Sequence, residues 1–548
     1  MALPQLHVFN SASLTEVTEQ NTFFDGVIVL YSDKKALFNI VPCAQAMADL
    51  DATFGESLQV IIPQDAQPSK RVLLAPVGSV SNDFDDVRRF KDAAYEAGLK
   101  AIKVGITSPL IYFADSPAQN QADWTFSAEQ DYAYFIEVTL LGFLEASFEP
   151  IDVREHLERT NKPIPGFKEL GLVSSLVRES ADEVIQKVLA IEQGKRVTKD
   201  IGSPDPERMS PINIVKYLEE QFKDSPHIKM TVIEDIEVIK QEYPLAHAVT
   251  RASLAVPRHH PRFVHFEYKS PDQSQVKENL YFVGKGVTYD TGGADIKCSG
   301  HMRDMSRDKC GAAAVAGFMK TVELLQPKEV NVTAGLALVR NSIGSDAYVS
   351  DEIIYSRNGS RVLIGNTDAE GRMVMTDLLC EFKERAVAHK QAGDASSNAP
   401  SLMFTVATLT GHAIRAYDGY AIALDNGFAR RNKVSQRLFD AGHILGDPFE
   451  ISTLRREDLD VVQPGRSSED VVQANDKPST MTNRGHQYPA GFMLIASGLN
   501  KHGLAHDQPI AYTHLDIAGS SETISAVGWS LPRTTGSPIA ALTGAFLL

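Results

Sequence analysis

The first part of the chain alternates between nearly unbroken apolar runs and segments with a helical period. Short apolar runs are typical of strands buried on both faces of a sheet, and strands separated by helices at this spacing predict a small α/β domain. We expect this domain to span residues 1–178. Strands are predicted at 26–31, 71–77 and near 101–104, and helices at 84–96, ending near Gly98, and at 129–146.

A long and mostly polar helical pattern between residues 180 and 200 follows this domain. We assign residues 179–195 to a linker helix and 196–548 to a second domain. In the latter, Asn358-Gly359 between two short apolar runs is a strong hairpin signal. Further strands are predicted at 280–284 and 330–339, helices at 309–325 and 372–388, and a polar loop at 391–400. The predicted class is α/β, with two domains, each a mixed or mostly parallel sheet flanked by helices.

Composition agrees with a folded chain of more than one domain. The chain is 43% hydrophobic and 23% charged, which is typical of globular proteins. Its 548 residues are too many for one hydrophobic core of ordinary size. The 54 Lys and Arg against 70 Asp and Glu give a net charge of −16. This balance argues against a nucleic-acid partner, because phosphate binding requires a clustered basic surface.

The sequence also predicts a compartment. No signal peptide and no apolar run as long as a membrane span is evident. The cysteines are few and widely spaced and form no Cys-x-x-Cys pair, so we expect reduced thiols and a cytoplasmic location without membrane partners. They are Cys43, Cys298, Cys310 and Cys380.

Three short segments of the second domain carry candidate chemistry. The first joins an apolar strand to Gly284-Lys285-Gly286 and then to Asp290-Thr291-Gly292-Gly293. Glycines at these positions allow the backbone to approach a ligand or a metal closely. Taken alone, the pattern is more simply explained by a glycine-rich strand end with a solvated lysine, and the segment lacks the ending of a Walker loop.

The other two segments place carboxylates at junctions of secondary structure. Asp308, which follows Lys297, immediately precedes a helical pattern rich in small residues, where an aspartate is often only a cap. Asp368 and Glu370 point the same way if their backbone is extended, and an apolar helix follows them. Ligands of α/β folds lie at such junctions, although a solvated acidic pair would give the same pattern.

Together, these four carboxylates form an oxygen-rich set. Such ligands suit Mg, Mn or Zn, a pair of ions can share bridging carboxylates, and a nearby lysine amine can also coordinate a metal. The residues alone therefore indicate a dinuclear metal hydrolase without specifying the bond that it cleaves.

The same segments, in this order, resemble the signature blocks of the leucyl aminopeptidase family. The blocks are 284–297, 305–311 and 366–372, and the last, Asn-Thr-Asp-Ala-Glu-Gly-Arg, matches the family pattern at every position. The resemblance runs from about residue 196 to the C-terminus, and over the first domain it is one of architecture only. It implies a two-metal aminopeptidase whose catalytic domain is the C-terminal one.

The resemblance implies a ligand set for each ion. The tightly bound metal would be held by Lys285, Asp290, Asp308 and Glu370. The exchangeable metal would be held by Asp290, Asp368 and Glu370, with the carbonyl of Asp368 as a further ligand. Asp290 and Glu370 would thus bridge the two ions, which would be zinc or manganese, with magnesium or cobalt as alternatives.

The resemblance also implies catalytic and substrate-binding roles. Lys297 would bind the substrate carbonyl and the oxyanion formed from it, and Arg372 would hold a bicarbonate ion that acts as general base. The substrate backbone would lie along the run Thr408, Leu409, Thr410 and Gly411. Met305 and Ala518 would line the pocket for the first side chain.

The implied reaction removes the N-terminal residue, leucine or a similar one, from a peptide. The two ions would bind and acidify a bridging water, one ion would anchor the free α-amine, and Lys297 would stabilise the oxyanion. The family forms hexamers, so a homo-hexamer is expected, with peptide substrates as its other partners.

The sequence departs from the family pattern in places that bear on substrate range. The loop 391–400 looks like an insertion, 466–484 fits the pattern poorly, and His412 and Arg415 are not typical. Ser521 stands where an apolar residue such as methionine can be found, and it either faces the pocket or caps a turn. The physiological substrate and the native metal stay open.

Three other functions are weighed against this one. A pseudo-enzyme would be expected to have degenerate metal ligands, whereas every expected position is filled here. DNA binding, known in some relatives, is disfavoured by the acidic balance. A dinuclear hydrolase of another bond would use the same ligands, and assays on amino-acid amides against phosphoesters would separate the two.

Overall fold

The computed structural model describes residues 3–11, 13–62, 71–115, 131–177, 179–298, 301–523 and 533–548. The chain forms two compact units, Met1–Glu192 with Gly442–Asp447, and Gln193–Ala441 with Pro448–Leu548. The long polar helix predicted at 180–200 is present as Ala181–Ile201. The division into 1–178, 179–195 and 196–548 stays our proposal for the domain boundaries.

The first unit is built on a mostly parallel sheet. Its strands are β1 (Gln5–Phe9), β2 (Gly26–Tyr31), β3 (Gln59–Ile61), β4 (Val72–Pro76), β5 (Pro109–Phe113) and β6 (Glu169–Val173). They lie in the order β1-β6-β5-β2-β4-β3, and only β3 pairs antiparallel within the described sheet. The helices are α1 (Leu14–Gln20), α2 (Lys34–Ile40), α3 (Cys43–Leu50), α4 (Arg88–Lys103), α5 (Phe135–Ala146), α6 (Ile151–Arg159) and α7 (Ala181–Ile201), which runs into the second unit.

The strands predicted at 26–31 and 71–77 are confirmed as β2 and β4, but the strand near 101–104 is wrong. Helix α4 continues through Gly98 to Lys103, and the next strand is β5. Gly98 lies inside the helix, where it allows close packing. A Cβ at this position would lie 2.6 Å from the Cβ of Ala146. Of the helix predicted at 129–146, Phe135–Ala146 is helical, and residues 129–130 lie outside the described residues.

The second unit is built on a mixed sheet. Its strands are β7 (Ile228–Ile233), β8 (Arg262–Tyr268), β9 (Glu278–Asp290), β10 (Val330–Asn341), β13 (Ser401–Ala407), β14 (Ala421–Asp425), β15 (Phe449–Thr453) and β17 (Ala511–Asp516). Their order is β15-β14-β17-β13-β9-β10-β8-β7. The neighbours β13, β9 and β10 are parallel, which brings their carboxyl ends to one edge. The predicted α/β class is confirmed.

Short strands complete this unit. They are β11 (Ile353–Tyr355), β12 (Arg361–Leu363), β16 (Val471–Val472), β18 (Glu522–Thr523) and β19 (Arg533–Thr534). The predicted hairpin is confirmed, because β11 and β12 pair antiparallel and Gly359 has a φ of 81°. Strand β16 adds to this hairpin in parallel with β12.

The helices predicted at 309–325 and 372–388 are confirmed as α11 (Cys310–Leu325) and α12 (Glu370–Ala392). Helix α12 includes the first two residues of the predicted loop 391–400 and is capped at its C-terminus by Gly393, which has a φ of 71°. The other helices are α8 (Pro211–Phe222), α9 (Ile236–Glu242), α10 (Pro244–Thr250), α13 (Gly411–Tyr417), α14 (Gly427–Arg431), α15 (Val434–Ile444), α16 (Arg456–Asp460), α17 (Tyr488–Ala496) and α18 (Ile539–Phe546). Within the described ranges, no helix combines the length and apolarity needed to cross a membrane.

Candidate active site

Three elements of the second unit converge at the carboxyl edge of the central strands, where α/β sheets commonly bind ligands. Strand β9 carries Lys285 and ends at Asp290. A 3-10 turn, Met305–Lys309, carries Asp308 and leads into α11. Glu370 is the first residue of α12.

Glycines let these elements approach each other closely. A Cβ on Gly284 of β9 would lie 2.6 Å from the Cα of Ala312, and one on Gly311 would lie 2.1 Å from the carbonyl oxygen of Val406. Any side chain at either position would therefore push α11 away from β9 and β13. The glycine-rich strand end of the sequence thus serves close packing at the site.

Lys285 lies between two carboxylates. Its Nζ is 2.7 Å from Oδ1 of Asp308 and 2.9 Å from Oε1 of Glu370, and it also donates to the carbonyl oxygen of Thr408 at 3.1 Å. The hydroxyl of Thr408 donates to the same Asp308 oxygen at 3.0 Å. The cap alternative for Asp308 is therefore wrong, because its carboxylate faces these side chains and not the first turn of α11.

Lys297 lies between the other two carboxylates. Its Nζ is 2.9 Å from Oδ2 of Asp290 and 2.5 Å from Oδ1 of Asp368. Asp290 is oriented through its other oxygen, which accepts hydrogen bonds from Nδ2 of Asn341 at 2.8 Å and from the backbone of Gly292 at 2.9 Å. The solvated-pair alternative is wrong for Glu370, which is only 2% exposed.

The carboxylates of Asp290, Asp308 and Glu370 form one buried cluster. Each offers an oxygen that lies within 4.8 Å of the oxygens of the other two. Oδ2 of Asp308 and Oε2 of Glu370 are buried and have no hydrogen-bond partner within the described residues. Buried acceptors without donors are costly, by about 1–3 kcal/mol each, so this arrangement is suited to a cation that is held there.

The electrostatics of the cluster also favour a bound cation. Burial and the neighbouring Asp290 raise the pKa of Glu370 to about 8, although Lys285 opposes them. Burial and Asp290 likewise raise the pKa of Asp368 to about 7, against Lys297. Burial alone would lower the pKa of both lysines, but the surrounding carboxylates hold each pKa above its ordinary value. Four carboxyl groups thus face two ammonium groups, and ionisation of all four is unfavourable without a further cation.

The loop that carries Asp368 is fixed through Thr367. The hydroxyl of Thr367 donates to the carbonyl oxygen of Gly292 at 2.6 Å, and its amide donates to Oδ2 of Asp295 at 2.7 Å. Its carbonyl oxygen accepts from the hydroxyl of Tyr348 at 2.7 Å. Thr367, Asp295 and Tyr348 were not identified from the sequence, because only the folded chain brings 292–295, 348 and 367 together.

Arg372 lies one turn into α12 with its guanidinium buried. Nη1 donates to the carbonyl oxygen of Gln473 at 3.0 Å, and the guanidinium carbon lies 4.7 Å from the ring centroid of Tyr488. Its Nε has no hydrogen-bond partner within the described residues. Gln473 was also missed, although it lies in the segment 466–484 that fits the family pattern poorly.

Three of the residues predicted to lie on the substrate side contact the carboxylate of Asp516. The amide of Leu409 donates to Oδ1 of Asp516 at 3.2 Å, the hydroxyl of Thr410 to Oδ2 at 2.7 Å, and the amide of Ala518 to Oδ1 at 3.2 Å. The structure therefore brings Leu409, Thr410 and Ala518 to one carboxylate, while Thr408 contacts Asp308 instead. Gly411 is exposed at the start of α13.

Met305 and Ser521 are the remaining pocket candidates. Met305 is half-buried and begins the 3-10 turn of Asp308. Ser521 is 3% exposed, and its hydroxyl caps no turn among the residues that the structure describes, where it has no hydrogen-bond partner. That Ser521 faces the pocket stays a prediction.

Comparison with known proteins places this geometry in a family. The model of the "Cytosol aminopeptidase family, catalytic domain" matches residues 196–543. The chain is 36% identical over 521 residues to a Caenorhabditis elegans protein named as an aminopeptidase, which covers 93% of this chain and 94% of that protein.

Two solved structures share the fold. A variant of tomato leucine aminopeptidase superposes with a TM-score of 0.73 at 17% identity, covering 99% of this chain and 96% of that one. The bottromycin maturation enzyme BotP, solved in complex with Mn, superposes with a TM-score of 0.70 at 19% identity, covering 95% and 98%. The resemblance recognised in the sequence is confirmed, and the chain belongs to the cytosol aminopeptidase family, whose members are metal-dependent hydrolases of peptide N-termini.

Proposed function

We propose that this chain removes a leucine-like N-terminal residue from peptides with two divalent ions. The observation that carries the proposal is the buried cluster of Asp290, Asp308 and Glu370, in which two carboxylate oxygens have no donor within the described residues. Carboxylate oxygens in this number fit manganese, zinc, magnesium or cobalt. Bound there, the two ions would supply Lewis acidity and lower the pKa of a water molecule toward about 7.

The residues divide between the two ions as follows. Lys285, Asp290, Asp308 and Glu370 would hold the tight one, and Asp290, Asp368 and Glu370 the exchangeable one. The contacts of Lys285 with Asp308 and Glu370 support the first set, because they bring its amine to two of the carboxylates assigned to that ion. As a ligand Lys285 would be neutral, since the charge of the ions replaces that of its proton.

Lys297 is proposed to stabilise the oxyanion. Its ammonium lies at the accessible side of the cluster, with its side chain 15% exposed, and two carboxylates hold it in place. A fixed cation at a developing negative charge is more effective than mobile water, because it needs no reorganisation during the reaction. We assign it to the carbonyl oxygen of the scissile peptide bond.

Arg372 is proposed to hold the bicarbonate general base. Its guanidinium is immobilised by the carbonyl oxygen of Gln473 and by the ring of Tyr488, and its Nε remains as a donor. A guanidinium donates in fixed directions to planar, carboxylate-like anions, and Nε is the donor of Arg372 that lacks a partner among the described residues.

The preference for leucine-like residues is assigned to Met305 and Ala518. An apolar pocket gains roughly 0.8 kcal/mol for each CH₂ that it buries. If Ser521 also faces this pocket, its hydroxyl weakens that preference, because a buried hydroxyl without a partner is unfavourable. Ser521→Met should then raise kcat/KM for leucine amide relative to alanine amide, and an unchanged ratio would place Ser521 outside the pocket.

The test is an activity screen after chelation. Chelated protein is assayed on amino-acid amides and on a phosphoester, with Mn, Zn, Mg or Co added back. We expect amide hydrolysis only with added metal, and loss of the tight ion in Asp308→Ala. Two ions per chain still bound in that variant would contradict the ligand assignment, and hydrolysis of the phosphoester alone would contradict the reaction.

Assembly and location are proposed on the family's behaviour. We propose a homo-hexamer in the cytoplasm, closed assemblies being usual for such enzymes. A stable monomer by sedimentation at micromolar concentration would refute the hexamer.

A further inference from the structure

One buried amide, Gln473, makes an unusually complete set of contacts with the loop that carries Asp368 and Glu370. Its Nε2 donates to the carbonyl oxygens of Asn366 at 2.8 Å and of Ala369 at 2.9 Å. Its Oε1 accepts from the amides of Gly365 and Asn366, both at 3.1 Å. A single side chain thus holds both ends of the turn 365–369, and it is fully buried.

The backbone of Gln473 is held as firmly. Its amide donates to the carbonyl oxygen of Leu363 at 2.8 Å, which extends the pairing of β16 with β12 by one residue. Its carbonyl oxygen accepts from Nη1 of Arg372 at 3.0 Å. The same residue therefore contacts the metal loop through its side chain and the guanidinium through its backbone.

Gly365 supplies an independent observation on this contact. A Cβ on Gly365 would lie 1.9 Å from the carbonyl oxygen of Ala474, the residue after Gln473. No side chain fits between the loop and this strand. The close approach of the loop to this strand allows the side-chain amide of Gln473 to reach both ends of the turn.

We propose that Gln473 is a positioning residue that sets the carboxylates of Asp368 and Glu370 relative to Arg372. This inference rests on the proposed function, because it concerns how the metal loop is held. Partners that orient metal ligands typically change metal affinity or activity by about 10- to 100-fold when they are replaced. Gln473 touches no reacting atom and acts only through the loop and Arg372.

The test uses two substitutions that alter the contact differently. Gln473→Glu keeps an acceptor for the amides of Gly365 and Asn366 but places a carboxylate against two carbonyl oxygens. Gly365→Ala leaves the glutamine intact and separates the strand from the loop. Both proteins are stripped with a chelator, and the affinity for Mn²⁺ is measured by calorimetry, with kcat, KM and the unfolding temperature measured in parallel.

The matched control is Asn426→Asp. Asn426 is a buried amide that clamps a loop in the same unit, where Nδ2 donates to the carbonyl oxygen of Ile510 at 3.0 Å and Oδ1 accepts from the amides of Ala429 and Tyr512. The control should lose stability without a change in Mn²⁺ affinity or kcat.

For both test variants we expect Mn²⁺ affinity to fall by about 10- to 100-fold. At saturating Mn²⁺, kcat should fall by a larger factor than KM rises. If both variants keep wild-type affinity and kcat while losing stability like the control, Gln473 is structural only and the inference fails. If the wild-type protein itself neither binds Mn²⁺ nor hydrolyses amides, the proposed function fails with it.

Discussion

Two glutamates on helix α12 show how different partners give one residue type opposite properties. Glu370 begins the helix and Glu381 lies three turns further on, and both are buried, at 2% and 8% exposure. Burial acts on both in the same direction, because it disfavours the charged carboxylate. Their pKa values nevertheless diverge, to about 8 for Glu370 and about 2 for Glu381.

The partners of Glu381 explain the difference. Its Oε2 accepts from the hydroxyl of Tyr243 at 2.6 Å and lies 3.1 Å from Nε2 of His265, while its Oε1 lies 2.7 Å from Nη2 of Arg385. Both oxygens are thus satisfied by neighbouring side chains. Glu370 has Lys285 on one oxygen only, with two further carboxylates close by.

Burial therefore does not distinguish a structural carboxylate from a functional one in this helix. What distinguishes them is whether the chain itself completes the environment of the charge. Neighbouring side chains satisfy both oxygens of Glu381, so replacing this residue should affect folding. One oxygen of Glu370 has no donor among the described residues, so replacing this residue should affect metal binding and the reaction.

The largest expected effect follows from replacing Glu370. Glu370→Gln should reduce amide hydrolysis to the background of the assay, because one of the proposed bridging ligands is lost. Stability of the chelated protein should not fall, since the neutral amide imitates the protonated carboxyl. Thermal unfolding with and without Mn²⁺ measures this, and metal-dependent stabilisation equal to the wild type would contradict the ligand role.

The next effect concerns Lys297, which is not expected to be a ligand. Lys297→Ala should retain both metals and lower kcat on the order of 10²-fold, the cost of a missing oxyanion donor. A suitable control is Lys383→Ala, because Lys383 is a buried lysine of the same unit that donates to the carbonyl oxygen of Ser497 at 2.7 Å. Turnover near normal in Lys297→Ala, or loss of metal, would refute the assignment.

A smaller effect is expected for Arg372. Arg372→Ala should lower kcat by about tenfold, as for groups that orient a reactant without contacting the metals. Rates are compared in rising bicarbonate against chloride of equal ionic strength. The wild type should respond to bicarbonate and the variant should respond less, whereas equal responses would show that the ion acts elsewhere.

The sequence predicted those parts of the fold whose signals are local. The helical periods of α11 and α12 and the Asn358-Gly359 turn lie within short windows, and all three are confirmed. The site residues came from the resemblance, and the structure brings the candidate ligands together while their roles stay proposals. Taken alone, these residues favoured a cap for Asp308 and left a solvated pair open for Asp368 and Glu370.

What the sequence could not supply depends on contacts between distant segments. Gln473 meets residues 365–369 across more than a hundred positions, and no local pattern indicates such a partner. The sequence predicts a helix end at Gly98 because glycine commonly follows the last turn of a helix, whereas the close approach of Ala146 explains this glycine. Both failures have one cause: tertiary packing decided the role of a residue whose local signal pointed elsewhere.

The smallest expected effect on activity follows from replacing Glu381, and it completes the comparison. Glu381→Gln should leave kcat/KM unchanged per folded protein but lower the free energy of unfolding by about 1–3 kcal/mol at neutral pH, because His265 and Arg385 lose a charged partner. The pKa of Glu381 lies below its ordinary value of 4.5, so this stabilisation is present above about pH 4.5 and is lost as the pH falls toward 2. Denaturant midpoints of the chelated wild type and variant should therefore differ at pH 7 and converge on acidification through that window. A gap that stays constant from pH 7 to 3 would mean that packing around residue 381, not its charge, carries the effect.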